Sequence, residues 1–186
     1  PIMVRYFDGD LVIAHNGNLT NALDLRARLV GEGAIFQTSS DSEVIIHLIA
    51  RSRHETVDGQ IDDALTHLEG AFSLVMSVGD TLYAARDPRG FRPLILGRKD
   101  DGYVIASETC AFDIMGAEYV RDLAPGEVLK ILISKRIDTR IPSGLLRRWL
   151  VRYTLAQRVA NVYSIGRDIR VARRQRRCRL VGATTY

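Results

Sequence analysis

The sequence predicts an α+β domain in which helices and antiparallel strands form separate layers. Three observations carry this expectation. Between residues 20 and 70 apolar side chains recur at helical spacing; from Ala71 onward they fall into short strand-like runs; and those runs are separated by Gly-Asp, Asp-Pro-Arg-Gly and Lys-Asp-Asp-Gly groups at hairpin spacing.

Taken in order, "DGDLVIAHNG" reads as a turn and then a short buried strand ending at His15, which places Asn16-Gly17 between that strand and the next helix. "TNALDLRARLVGEG" aligns Ala22, Leu25 and Leu29 on one helical face, with Thr20 or Asn21 able to cap its start and Gly31 or Gly33 to stop it. In "TSSDSEVIIHLIARS" Ser40 and Glu43 have capping-box spacing, each side chain able to satisfy a free amide of the first turn, and Ile45, Leu48 and Ile49 supply the apolar stripe. "IDDALTHLEG" is a third helix, with Ile61, Leu65 and Leu68 on its face and Gly70 at its end. "AFSLVMSV", "TLYAAR", "PLILGR" and "YVIASE" then read as an antiparallel meander; "TCAFDIMG" as one or two helical turns; and "DLAPGEVLKILIS" as a Pro-Gly turn with a further strand. No internal repeat is present, and after about Ser143 neither period persists.

Composition narrows the class. With 46% hydrophobic and 26% charged residues over 186 positions, the chain is of ordinary soluble globular type, and no apolar run is long enough to span a bilayer. A cytoplasmic protein is expected. The net charge of +4 is uneven: residues 145–186 hold eleven of the 26 basic residues, all arginine, against the single acid Asp168, so the preceding body is acidic. An acidic body does not suit nucleic acid, whose partners carry basic groups on a folded surface. Cys110 and Cys178 stand far apart, outside any Cys-x-x-Cys or Cys/His cluster, which argues against a disulfide framework and a metal site. Cys110 is expected as a small core residue.

The Asn16-Gly17 pair has chemistry beyond turning the chain. A glycine nitrogen and an asparagine amide side by side give two uncharged N–H donors, which suit an oxygen that becomes negative during a reaction, and the missing Cβ lets a ligand approach the main chain. The alternative use of the same dipeptide is a tight turn. His15, alone at the end of an apolar strand, is expected to be a packed, hydrogen-bonded histidine and is assigned no chemistry.

The segments "AHNGNLTNALDLRARL", "GAIFQTSSDSEVIIHLIARS", "GAFSLVMSVGDTLYAARDPRGFRPLILGR", "YVIASET" and "DLAPGEV" together resemble the glutaminase domain of the amidophosphoribosyltransferase family, in order, from Pro1 to about Ile133. His-Asn-Gly followed by Ser-Asp-x-Glu is shared across class II amidotransferases; "RDPRGFRPLILG" and "LAPGE" are closer to this one family. The resemblance implies an N-terminal-nucleophile hydrolase fold, here a partial four-layer αββα sandwich with antiparallel sheets between helix layers. It implies glutamine as substrate, Asn16 and Gly17 as the oxyanion hole, and Asp41 as the carboxylate that holds the glutamine α-ammonium, a charge-assisted contact at a helix start. Arg86, Asp87, Arg89 and Arg92 either form a salt-bridged corner of the sheet or face a synthase domain, the structural role carrying more weight.

The family's nucleophile is an amino-terminal cysteine whose own α-amino group serves as base. The chain as given enters the pattern after that cysteine and after the arginine that grips the glutamine carboxylate, so these 186 residues are expected not to hydrolyse glutamine. Residues 1–143 are read as a partial amidotransferase domain and residues 144–186 as an unassigned arginine-rich tail. That tail is a basic arm, a solvated linker, or the shifted-frame start of a phosphoribosyltransferase domain. In the family that further domain takes phosphoribosylpyrophosphate with Mg2+, the reaction yields 5-phosphoribosylamine for purine synthesis, and the parent is a homo-oligomer. Some members hold an iron–sulfur cluster, for which Cys110 and Cys178 are not at recognisable ligand positions. Two other readings stay open: another class II enzyme, such as a glucosamine-6-phosphate synthase, and a non-catalytic binding module that reaches nucleic acid through its tail.

Overall fold

The computed structural model describes residues 1–7, 9–132, 137–140 and 162–164. The tail beyond residue 143, with Cys178, lies outside the described residues apart from 162–164. Among the described residues ten strands and four helices follow in the order β1 (Ile2–Tyr6), β2 (Gly9–Leu19), α1 (Ala22–Gly31), α2 (Asp41–Arg51), α3 (Val57–Thr66), β3 (Gly70–Val78), β4 (Thr81–Arg86), β5 (Ile95–Lys99), β6 (Gly102–Ala106), α4 (Cys110–Met115), β7 (Glu118–Asp122), β8 (Val128–Leu132), β9 (Ile137–Arg140) and β10 (Val162–Ser164). They form two antiparallel sheets, one ordered β1-β2-β3-β4-β8-β9 and the other β10-β6-β5-β7.

Side-chain alternation along the strands sorts the core into layers. Leu11, Ile13 and Leu19 of β2 and Phe72, Leu74 and Met76 of β3 face the helices and pack on Leu25, Leu29, Ile45, Ile49, Ile61 and Leu65. On the opposite face Val75, Leu82, Ala84 and Leu129 meet Leu96 and Ile105 of the second sheet and Leu94 and Leu123, which flank its strands. The outer face of that sheet is covered by α4, through Ala111 and Phe112 against Ile95, Val104 and Ala106. Phe112 comes so close that a Cβ on Gly97 would lie 2.7 Å from its ring. The order helix, sheet, sheet, helix is the expected sandwich.

The apolar faces read from the sequence are those that are buried, and the departures are instructive. The expected meander is broken: the chain leaves the first sheet after β4 and enters the second at β5. The corner between them is pinned by side-chain bonds to its backbone. Arg86 donates to the carbonyls of Arg92, Leu123 and Gly90 at 2.8, 2.6 and 2.9 Å, and fully buried Asp87 accepts the amides of Arg89, Phe91 and Arg92. Helix α3 begins four residues before the expected Ile61, because Thr56 caps it by accepting from the Gly59 amide. Strands β1 and β7 go beyond the sequence expectation. Cys110 is exposed rather than in the core: it opens α4, whose buried positions are Ala111 and Phe112.

The capping box at α2 is also only half formed. Ser40 caps the helix, accepting from Ser42 N at 3.2 Å, but Glu43 turns away from Ser40 to the preceding loop. Its buried carboxylate accepts from the Gln37 and Thr38 amides and the Thr38 hydroxyl at 2.7, 2.8 and 2.7 Å. Burial pushes this carboxyl up, and the three donors outweigh it, leaving the pKa below the reference 4.5. A carboxylate depressed in this way contributes stability that is present above its unfolded pKa and lost as pH falls through the folded value. Glu43→Gln is therefore expected to cost about 1–3 kcal/mol near neutral pH, since an amide leaves one of these donors facing NH₂. In urea titrations the gap to the unaltered chain should narrow as pH drops below 4.5.

Candidate functional site

Asn16 and Gly17 do not sit in a turn. Strand β2 continues through them to Leu19, with Asn16 opposite Ser73 and Gly17 opposite Phe72 of β3. Gly17 permits the continuation: with φ at +155°, its backbone passes so close to β3 that a Cβ would lie 2.0 Å from the Ala71 carbonyl oxygen. The strand therefore ends only where the Thr20 amide donates to Glu69 at 2.8 Å, just before α1. Asn21, expected as a possible cap of α1, makes no side-chain cap bond; it bridges instead to the His67 carbonyl and the Glu69 amide.

One edge of this stretch faces the side of β2 away from β3. β1 pairs with β2 only as far as Ile13, so among the described residues no strand lies beside positions 14–19 on the side away from β3. Hydrogen-bond alternation shows which groups face that edge. The Phe72 carbonyl accepts from the Asp87 amide on the β4 side, so the opposed residue Gly17 directs its N–H away from β3. Leu19, two residues on, has the same orientation, and its N–H donates to Asp41 Oδ2 at 3.2 Å. Asp41 thus stands against the edge towards which the Gly17 N–H points.

Asp41 is the first residue of α2, and its carboxylate makes polar contacts from that helix to β2. Its second oxygen, Oδ1, lies 3.2 Å from Nδ1 of His15, and Ser42 Oγ lies 3.3 Å from the same nitrogen. The side chain of His15 is 2% exposed and that of Asp41 24%. Burial is the main influence on His15 and pulls its pKa below 6.5; Asp41 acts in the opposite sense and the Arg92 charge reinforces the lowering. His15 is the packed, hydrogen-bonded histidine expected from its place in the strand, with Asp41 as partner.

Because side chains alternate, Asn16 projects from the face opposite His15, towards the second sheet. There its amide donates to the hydroxyl of Ser107 at 3.3 Å, a buried residue just past β6. Ser73, the cross-strand neighbour of Asn16, donates to the Pro93 carbonyl at 3.0 Å and ties the 87–93 corner to the same region. Sequence reasoning gave no role to Ser107, Ser42 or the Leu19 amide. Each is placed by the packing of one element on another, and only Ser42 had a local signal, as the neighbour of Asp41.

Among the described residues no group of three or more His, Cys, Asp or Glu side chains could hold a metal ion. Nor is any helix among them long and apolar enough to cross a membrane.

Comparison with known proteins agrees with this architecture. A family model described as the glutamine amidotransferase domain matches residues 1–113. The amidophosphoribosyltransferase of Bacillus subtilis is 51% identical over 132 residues, covering 70% of this chain and 28% of that protein. That of Rhizobium etli is 46% identical over 147 residues, covering 77% of this chain and 30% of that protein. Among solved structures, glutamine phosphoribosylpyrophosphate amidotransferase from B. subtilis, complexed with ADP and GMP, superposes with a TM-score of 0.74 at 46% identity, over 77% of this chain and 31% of that one. A glutamine aminotransferase class-II domain protein from Silicibacter pomeroyi, 23% identical with a TM-score of 0.54, shares the fold. The chain thus spans less than a third of the length of the curated relatives named here. With its two-sheet sandwich and the amidotransferase match over more than half its length, this chain belongs to the glutamine amidotransferase domain family, as a glutaminase domain of the amidophosphoribosyltransferase type.

Proposed function

We propose that this domain supplies ammonia from glutamine to a phosphoribosyltransferase domain of a longer polypeptide, which uses phosphoribosylpyrophosphate and Mg2+ to make 5-phosphoribosylamine in purine synthesis. A relative of similar fold is described as the allosteric regulatory enzyme of purine biosynthesis. In this reading a cysteine thiolate attacks the side-chain amide carbon of glutamine. The Gly17 N–H and the Asn16 amide stabilise the oxygen as it turns negative, ammonia leaves, and water then hydrolyses the thioester. Asp41 receives the α-ammonium.

The observation that carries the proposal is that the outward N–H of Gly17 and the carboxylate of Asp41 share one side of β2, the latter held there by the Leu19 amide. A donor for an oxyanion and an acceptor for an ammonium at one strand edge suit an amino acid that carries a side-chain amide. The thiol is a separate requirement. Among the described residues the one cysteine is Cys110, exposed at the start of α4.

The test is Asp41→Asn in a form of the protein that carries the amino-terminal cysteine. Losing a charged hydrogen-bond partner is expected to raise KM for glutamine roughly tenfold or more while kcat stays within about threefold, the pattern of lost ground-state binding. Steady-state ammonia release measures both, and an unchanged KM removes Asp41 from the glutamine site.

A further inference from the structure

We propose that His15 is a positioning residue for ammonium recognition: its Nδ1–H and the Leu19 N–H each grip one oxygen of Asp41 and fix the carboxylate plane on the side of β2 away from β3. The inference rests on the glutamine reading above and adds to it a residue that touches no substrate.

Four observations support it. A carboxylate in the first turn of a helix swings freely about its side-chain torsions; here both oxygens are taken by donors from one strand, four residues apart, at 3.2 Å each. A carboxylate only accepts, so the neutral imidazole carries its proton on Nδ1. That choice leaves Nε2 as a buried acceptor with no hydrogen-bond partner among the described residues. Such an atom is a standing cost that a leucine or phenylalanine would avoid, so packing alone does not account for a histidine here. Finally, the groups facing the ring are Asp41 and Ser42 from α2 and the Arg92 charge from the corner after β4. Burial and Arg92 together keep the imidazole neutral against the pull of Asp41. A neutral donor orients Asp41 without cancelling its charge, whereas an imidazolium would occupy it as an ion pair and compete with the ligand's ammonium.

NMR of the full 186-residue chain tests this, with L-glutamine as ligand and 4-carbamoylbutanoate, which lacks the α-ammonium, as control. Long-range imidazole correlations are expected to show His15 as the Nδ1–H tautomer, a readout that needs no substitution. His15→Phe is expected to weaken glutamine roughly tenfold, the scale of one lost hydrogen bond, and to leave 4-carbamoylbutanoate unchanged. His15→Asn, whose amide reaches where Nδ1 stood, should recover most of the loss. Glutamine affinity of the unaltered chain should fall as pH passes below 6.5, while that of His15→Asn should not follow it there. An Nε2–H tautomer, or a folded His15→Phe that binds glutamine as well as the unaltered chain when Asp41→Asn does not, overturns the positioning role and leaves the glutamine reading standing. Equal binding of the two ligands by the unaltered chain, or binding of neither, overturns the glutamine reading and this inference with it.

Discussion

Replacing Asn16 by alanine, in a form of the protein that carries the amino-terminal cysteine, is expected to lower kcat for glutamine hydrolysis by roughly a hundredfold or more with little change in KM. That is the scale of one lost oxyanion-hole donor, whose contribution arises in the transition state and not in the bound ground state. The hydrogen bond from the Asn16 amide to buried Ser107 supports an oriented donor, because it restricts rotation of the amide plane and lowers the reorganisation needed when charge develops. The same bond, at 3.3 Å, is long, so its loss is expected to cost the fold at most about 1 kcal/mol. Ammonia release, alongside a thermal melt that stays near that of the unaltered protein, separates the two effects. A variant that hydrolyses glutamine at the parent rate would exclude Asn16 from the reaction.

Gly17→Ala is expected to act on the fold itself. The new methyl would stand 2.0 Å from the Ala71 carbonyl oxygen and 2.8 Å from the Phe72 Cα. Both are backbone atoms of the paired strand, so no rotamer change relieves the overlap, and φ at +155° adds strain for any side chain. β2 would have to separate from β3, with a loss of about 3 kcal/mol or more. Gly31→Ala is the control: nothing lies within 4 Å of a Cβ there and the residue closes α1, so that change should be neutral or slightly stabilising. Urea midpoints of the two variants should differ in this order, and equal midpoints would mean that the strands are not in contact at Gly17. Because the same glycine presents its N–H to the side away from β3, the close approach that forbids a side chain also fixes where the proposed oxyanion donor points.

These two residues illustrate how far a linear sequence can be read. The stripes Leu25 and Leu29, Ile45, Leu48 and Ile49, and Ile61 and Leu65 were legible because helical periodicity is local, and all of them are buried against the first sheet. The strand runs from Ala71 onward were legible for the same reason. The family motifs marked Asn16, Gly17 and Asp41 without any geometry. Local signals misled where a side chain had a better partner elsewhere. Glu43 had capping-box spacing yet turned to the amides of Gln37 and Thr38; Asn21 looked like a cap and became a bridge to the 67–69 segment; Cys110 looked like a core residue and opened an exposed helix start.

What the sequence by itself determined, then, is the identity and period of the elements and the residue types at the candidate site, since both depend on neighbours a few positions away. Tertiary structure decided the rest. Asn-Gly lies inside a strand because β3 lines up against it, and the chain changes sheets because Arg86 and Asp87 bind the corner backbone. His15 and Asp41, 26 positions apart, share a hydrogen bond because α2 docks on one face of β2, while Asn16 looks to Ser107 through the other. Which face and which edge a residue presents depends on the partners its strand acquires, and those partners come from segments too distant along the chain for any local pattern to encode.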